Sequence, residues 1–583
     1  MTRRVVIPLA VAALTSVCFL PAVFGSFLNW DDNINFLDNP AYRGLGWDQI
    51  RWALTSVLFG HYIPLTRLTW SLNYSLGGMD PRGYHLVNVL LHAFNAALVY
   101  FVARRLLAAA TGGGAQDGRR ETDLCTAGAF AALVFGLHPL RVEPVAWVTG
   151  RADVLCATFV LLAALAYLRG VEGGGAARPA LVLLSGAALA AALLSKGSAL
   201  PFVAAVFLLD LYPLRRPSRL GWLGLVREKI PLLLVTSAGA LVVLYALRHG
   251  AVLTRSTDYG PAARLATAAY SFVVSPVRFV WPVSLSPLYE MPARISLLEP
   301  RFGLAVMASV MVTVVLIVLR QRWPAALAAW TFSALMLAPT SVAARRGADL
   351  APDRYSYLAG LGFAILVGGA ALGLIGLRRS GVLTRPVAGV VVAAGLVALA
   401  GLGATSWSYT EVWAESESLW RWAVELDPAC SICQGKLGES VLGGPAGATR
   451  AAEAEALLRR AIALRPDLPD AYFNLGTALV MQGRYADAEA PLRAYMELVP
   501  SAVAGPERLG LAYLLEGRHD EAIPLLRDAF VREPETPGLR GYLIEALQAH
   551  AADLRARGRS VEEHSLLAEI RALGGEAAAG TRP

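Results

Sequence analysis

Long apolar runs fill the chain up to about residue 407, and beyond that point isolated apolar positions alternate with Glu, Arg and Asp. About 20 apolar residues are needed for a helix to cross the hydrocarbon of a bilayer. Runs near that length lie at roughly 5–28, 86–109, 124–143, 152–170, 178–195, 198–214 and 230–249, then at roughly 302–320, 324–340, 356–376 and 386–406. A further segment, 264–283, is interrupted by Pro276, Arg278 and Pro282, which suits a re-entrant or interfacial piece. The first run, Val5 to Leu28 after Arg3-Arg4, is longer than the apolar core of about 7–15 residues in a cleaved signal and reads as a retained span.

After residue 407 the pattern repeats. Leu475-Gly476 recurs as Leu509-Gly510, Ala488 as Ala522, and Pro466 as Pro500 and Pro534, each 34 residues on. That period, with Leu-Gly early, Ala at the start of a second helix and Pro at the end, is the tetratricopeptide signature. An earlier repeat carries Leu437-Gly438 and Ala454. Trp413 to Asp427 reads as a lone second helix and 538–573 as a terminal cap. The expected fold is therefore all-α. Residues 1–407 form a polytopic helical membrane domain of about 11 spans, and 408–583 form a tetratricopeptide-repeat α-solenoid with a C-terminal capping helix. The segment 29–85 between the first two spans, with Trp30, Trp47, Trp52, Tyr62 and Trp70, suits amphipathic helices at the membrane interface.

Composition sharpens this reading. The chain is 56% hydrophobic and 16% charged, against about 45–50% and about 25% for soluble domains. Its net charge of +8 raises the question of nucleic acid. The arginines, however, sit in short clusters between apolar runs and lack the basic faces with interleaved aromatics that strand binding requires, so no nucleic-acid partner is expected. They orient spans instead. With the N-terminus inside, Arg104-Arg105, Arg119-Arg120, Arg215-Arg216 and Arg378-Arg379 all face the cytoplasm if 264–283 does not cross. Eleven spans then place the repeats on the extracytoplasmic side of the cytoplasmic membrane, and twelve would place them inside. Cys430 and Cys433 form a C-x-x-C without a second Cys or His pair to complete a zinc site, so a structural role or a disulfide is expected rather than metal.

Chemistry-bearing residues gather on the side where the first loop emerges. Asp31 and Asp32 stand at the exit of the first span, where paired carboxylates can hold a general base, bind a divalent ion or cap a helix. His138, Glu143, Arg151 and Asp153 flank the junction of the third and fourth runs, where a salt-bridge network and a ligand site are both compatible with the pattern. Lys196 falls at another end on that side. His85, Asn88, His92 and Asn95 share one helix face, as interhelical hydrogen bonding requires. Arg354 and Tyr355 open a later span, suited to an interfacial anchor or to gripping a lipid phosphate.

Taken in order, Trp30-Asp31-Asp32, the Tyr84-His85 to His92 helix, His138-Pro-x-x-x-Glu143, Gly150-Arg151-Ala152-Asp153 and Asp353-Arg354-Tyr355-Ser356-Tyr357 with the repeats resemble the transmembrane and tetratricopeptide-repeat family. Its eukaryotic members are protein O-mannosyltransferases within the multi-span C-type glycosyltransferases. The resemblance implies a polyprenyl-phosphate sugar as donor and no nucleotide sugar. It also implies a protein acceptor captured by the repeats, Asp31 as general base with Asp32 in support, and Arg354, Arg151 and Lys196 at the donor phosphate. Glu143, Asp153, His85, His92, His138 and Tyr355 would support them. A divalent metal is neither implied nor excluded. The family usually has an acidic residue where Gly197 follows Lys196, and Glu where this chain has Asp353. Richness in arginine and alanine suggests a bacterial member. A membrane-anchored repeat scaffold and a lipid-sugar flippase or transporter are the competing classes. A transporter is disfavoured because the charges sit at the ends of the spans and not at the midplane.

Overall fold

A computed structural model describes residues 3–112, 118–172, 175–249, 260–292, 294–343 and 348–574. Among the described residues every named element is a helix, with isolated bridges at Leu58–His61 and Glu290–Asp349 and no named strand. The chain divides into a unit spanning Met1–Leu419 and a unit spanning Trp420–Pro583.

The first unit contains α1 (Arg3–Cys18), α2 (Trp47–Thr55), α3 (Pro64–Gly77), α4 (Pro81–Ala110), α5 (Gly118–Gly136), α6 (Val142–Ala146), α7 (Arg151–Gly170), α8 (Pro179–Ser195) and α9 (Phe202–Leu211). It continues with α10 (Pro217–Glu228), α11 (Ile230–His249), α12 (Pro261–Val280), α13 (Pro300–Val318), α14 (Pro324–Ala343), α15 (Ser356–Ala359), α16 (Leu361–Arg379) and α17 (Arg385–Val412). Six of these, α4, α7, α11, α13, α16 and α17, are long and apolar enough to cross a bilayer. A bent pair, Gly118–Gly136 with Pro139–Ala146, breaks by 59°, and four shorter apolar helices accompany them. This is a multi-pass membrane protein. The segment α12, expected not to cross, carries Pro276 inside its helix and is not one of these six.

Two boundaries differ from expectation. The first apolar run does not form one continuous helix: α1 stops at Cys18 and a 3-10 turn, Leu20–Phe24, follows. Pro21 lacks an N–H and its ring clashes with the carbonyl four residues back, so the α-helical ladder cannot run through it. The division between units falls inside α18 (Ser416–Leu426) and not at 407, because α17 runs unbroken through Trp407 for 28 residues. At about 1.5 Å per residue that is about 42 Å, longer than the hydrocarbon layer.

In the second unit, α19 (Ser431–Gly443), α20 (Ala451–Leu464), α21 (Pro469–Met481), α22 (Tyr485–Leu498), α23 (Ala504–Glu516), α24 (His519–Arg532), α25 (Leu539–Ala556) and α26 (Ser560–Ala572) stack in consecutive pairs. The Leu-Gly repeat has a packing cause. A Cβ at Gly476 would lie 2.5 Å from Leu492, and one at Gly510 2.7 Å from Leu526, so each glycine lets the next helix close in. Ala454, Ala488 and Ala522 are fully buried. The terminal stretch forms the pair α25 and α26 where a single cap was expected. Cys430 and Cys433 are joined by a disulfide, buried at the start of α19.

The first loop does not lie loosely on a surface. Phe36, Tyr42, Trp70, Tyr84 and Val148 form a buried aromatic cluster with Phe27, Trp52 and Tyr74 against it. This fixes α2, α3 and the preceding turns to the break between α6 and α7, and so fixes the backbone that carries Asp31 and Asp32.

Candidate active site

The turn at residues 26–32 is held from several sides. Ser26 N donates to Ala414 O at 2.8 Å and Asn29 N to Ser416 Oγ at 2.9 Å. Trp147 Nε1 donates to Trp30 O at 2.8 Å. Asp31 then adopts φ 64°, a left-handed conformation uncommon outside Gly, Asn and Asp, and its side chain is exposed. Asp32 points the other way and is fully buried. Its Oδ1 accepts from Thr149 Oγ1 at 2.6 Å and Thr149 N at 3.1 Å, and its Oδ2 from Leu28 N at 3.0 Å. Burial pushes the Asp32 carboxyl up to about 7 against these three donors, and the neighbouring Asp31 charge adds to the rise. Asp32 caps no helix with its side chain.

Thr149 lies in the short link between α6 and α7, where Gly150 is required. A Cβ there would sit 2.6 Å from Pro144 O and 2.8 Å from Pro144 Cα. From the same link Trp147 passes beneath Arg354, whose guanidinium lies 5.5 Å from the indole centroid. Arg354 pairs with Glu143, which also accepts from Arg354 N at 2.7 Å, and lies 3.6 Å from Asp349. Burial works against the charge of Arg354, but Glu143, Tyr355 and Asp349 together raise its pKa. Asp349 is pushed up to about 7 by burial and by Glu143 against the pull of Arg354. Asp353 is pushed up to about 6, mainly by burial, although Arg278 at 3.0 Å and Tyr289 at 3.1 Å hold it. Lys196 pairs with Asp153 at 2.6 Å and remains partly accessible, as does Arg354.

Several expected partnerships are rearranged. Glu143, Arg151 and Asp153 do not pair with one another: Glu143 takes Arg354 and Asp153 takes Lys196. Arg151, expected at a phosphate, is fully buried and its donors are engaged within the protein. They reach Asn88 Oδ1 at 2.8 Å, Asn73 Oδ1 at 2.5 Å and Tyr84 O at 2.7 Å, tying α3, α4 and α7 together. The α4 face does make interhelical hydrogen bonds. His92 contacts Tyr357 Oη at 2.7 Å and Gly136 O at 3.1 Å, while His85 contacts Ser26 O at 3.3 Å. His138 accepts from Leu140 N and its Nε2 meets Phe279 O at 2.8 Å. All three histidines are buried. Tyr355 stays beside Arg354, which lies 5.3 Å over its ring.

Thr149, Trp147, Asp349 and the Arg278–Tyr289 pair were not singled out from the sequence. Thr149 and Trp147 fall inside the His138 to Asp153 stretch, so the neighbourhood was marked but not the residues. Away from these groups, α4, α7, α9, α14 and α16 enclose an almost wholly apolar cavity of about 470 Å³, lined among others by Val102, Leu161, Phe332, Met336 and Ile365. Among the described residues, no three His, Cys, Asp or Glu groups stand together as metal ligands would.

A model of the tetratricopeptide repeat family matches residues 446–503. Protein O-mannosyl-transferase TMTC4 of Homo sapiens is 39% identical over 173 residues, 28% of this chain and 22% of that protein. TMTC4 of Mus musculus is 36% identical over 29% of this chain and 23% of its own length, and protein O-mannosyl-transferase Tmtc1 of Drosophila melanogaster 43% identical over 19% and 11%. The chain spans less than a quarter of the length of these curated relatives.

Proposed function

We propose that this chain, similar over part of its length to the protein O-mannosyl-transferases above, is a membrane glycosyltransferase moving a sugar from a polyprenyl-phosphate donor to a hydroxyl of a protein acceptor. Mannose is the sugar that the names of the relatives suggest. The reaction takes place on the extracytoplasmic face of the cytoplasmic membrane, and the repeats capture the acceptor. Asp31 takes the proton of the acceptor Ser or Thr hydroxyl, and the freed oxygen forms a bond to the anomeric carbon. The bond from that carbon to the phosphate oxygen breaks on the opposite face, its electron pair leaves with the polyprenyl phosphate, and the configuration inverts through an oxocarbenium-like state. Arg354 and Lys196 receive the growing phosphate charge. Asp32 holds the Asp31 turn in place.

The observation that carries this reading is the pairing of an exposed carboxylate with a buried one on a fixed turn, with Trp147 joining that turn to Arg354. The apolar cavity is consistent with a substrate bearing a long lipid chain.

The test is transfer of labelled sugar from polyprenyl-phosphate-mannose, and from a panel of related donors, into protein by membranes holding wild type or Asp31→Asn. Label with wild type and at least a hundredfold less with an equally abundant Asp31→Asn supports the reading. Equal transfer by both, or transfer from no donor, removes it and favours a membrane-anchored repeat scaffold.

A further inference from the structure

His61 differs from the buried histidines of the first unit. It is accessible to solvent, and among the described residues no protein group hydrogen-bonds either ring nitrogen. It ends a two-residue turn closed by Leu58 and His61, whose backbones exchange hydrogen bonds at 2.8 and 3.2 Å. Both central residues have positive φ, Phe59 at 48° and Gly60 at 72°. An aromatic residue rarely adopts that conformation, and strain of this kind persists only where the surroundings enforce it.

The enforcing group is Arg67, buried at 1% exposure. Its Nη1 donates to Ser56 O at 2.5 Å and Ser56 Oγ at 2.8 Å, and its Nη2 to His61 O at 3.3 Å, so one guanidinium grips both ends of the turn. The preceding residue aims the turn: Thr66 Oγ1 donates to Ser195 O at 3.0 Å, one residue before Lys196. Two consecutive side chains on α3 thus tie the turn that bears His61 to the segment that carries Lys196, whose partner Asp153 lies in the first turn of α7. The field at the imidazole agrees with this placement. Desolvation by the protein packed around the ring and the charges of Lys196, Arg67 and Arg354 hold it at about 4, against Asp153 alone, although part of the residue stays open to solvent, so it is a neutral donor among cations at ordinary pH.

We infer that His61 is a phosphate-contacting residue whose free imidazole N–H, presented on the Arg67-clamped turn, completes with Lys196 and Arg354 a cradle for the phosphate of a lipid phosphate. Identifying that phosphate with the leaving group of the donor rests on the glycosyltransferase reading. No proton changes hands: the imidazole N–H donates a hydrogen bond to a phosphate oxygen as charge accumulates there. Asp153 and Glu143 each hold one of the two cations in position, and one accessible neutral donor adds affinity for the anion without adding a buried charge.

The test uses the full chain in lipid nanodiscs with two probes, polyprenyl phosphate and the corresponding free polyprenol, and the variants His61→Leu and His61→Gln. The expected result is that His61→Leu weakens polyprenyl phosphate about tenfold and leaves polyprenol unchanged, while His61→Gln, which keeps an N–H donor, recovers most of the loss. Equal phosphate binding by wild type and His61→Leu overturns the inference. So does a matching loss of polyprenol, which would make the turn structural only, and so does failure of the wild type to bind the phosphate. The glycosyltransferase reading fails separately, through transfer by Asp31→Asn, and that failure would leave the binding result standing.

Discussion

Thr149 donates its hydroxyl to the buried Asp32 carboxylate at 2.6 Å across 117 residues of sequence, while the adjacent Asp31 faces solvent. One threonine thus decides where a carboxylate four residues beyond the first apolar run can stand, and it is itself placed by Asn35, whose amide donates to the same hydroxyl at 3.1 Å.

Replacing Thr149 by Val keeps the shape and removes the hydroxyl donor, leaving Asp32 two backbone N–H groups. An under-satisfied buried group costs about 1–3 kcal/mol. Thermal unfolding of the purified chain in detergent should show Thr149→Val less stable by that amount, and Thr149→Ser close to wild type.

The raised carboxyls give stability a definite pH slope. Asp32 and Asp349 sit at about 7 and Asp353 at about 6, all above the ordinary aspartate value near 3.8. Between those limits the folded state binds more protons than the unfolded one, so their contribution is full below about 4 and is lost as pH rises through 6 to 7. Unfolding midpoints of the wild type should fall over that window, and Asp32→Asn should fall less steeply. A wild type that gains stability between pH 4 and 7 would contradict these shifts.

Breaking the Arg354–Glu143 pair from one side leaves a charge stranded in a site where Glu143 is only 1% exposed. Arg354→Met should destabilise the chain by about 3–5 kcal/mol. The double variant with Glu143→Gln should recover much of this and yet, on the proposed reaction, remain inactive, because the cation assigned there to the leaving phosphate is still missing. A double-mutant cycle on stability, measured alongside sugar transfer, separates the two roles.

Arg151→Lys retains the charge but cannot reach Asn88, Asn73 and Tyr84 O with one ammonium. It should cost several kcal/mol of stability, because each buried hydrogen bond made by a charged group contributes about 1.5–3 kcal/mol and more than one is lost. Protein that does fold should show a donor KM near wild type, whereas Lys196→Met should raise that KM with little effect on unfolding.

The sequence carried the large divisions of the molecule because they follow from solvent. Apolar run length marks helices that meet lipid, and the 34-residue period marks stacked pairs whose Leu-Gly positions prove to be close helix contacts. It also carried the segments that converge near Asp31. It did not carry the division of labour within them. Asp31 and Asp32 are indistinguishable by composition, and only the positive φ at Asp31 and the reach of Thr149 send one out and the other in. Arg151 and Arg354 both read as charges at span ends. Only the polar atoms brought in by α3 and α4 reveal that Arg151 is wholly buried and turned towards protein acceptors. His61 had no periodic or motif context, and its clamp depends on Arg67, a residue that side-chain chemistry alone would place at the surface.

The bend between α5 and the Pro139–Ala146 segment leaves carbonyls that no helix of its own can satisfy. Gly136 O is met by His92 at 3.1 Å, and Leu137 O by Ser406 at 2.8 Å, 269 residues downstream. Bare carbonyls at membrane depth are costly. Because a ribosome delivers residue 406 long after residue 137, the elbow must wait, unsealed or shielded by other groups, until the last helix of the membrane unit arrives. Biogenesis therefore has a defined closing step, and a chain truncated before Ser406 would be a substrate for membrane quality control rather than a smaller stable protein.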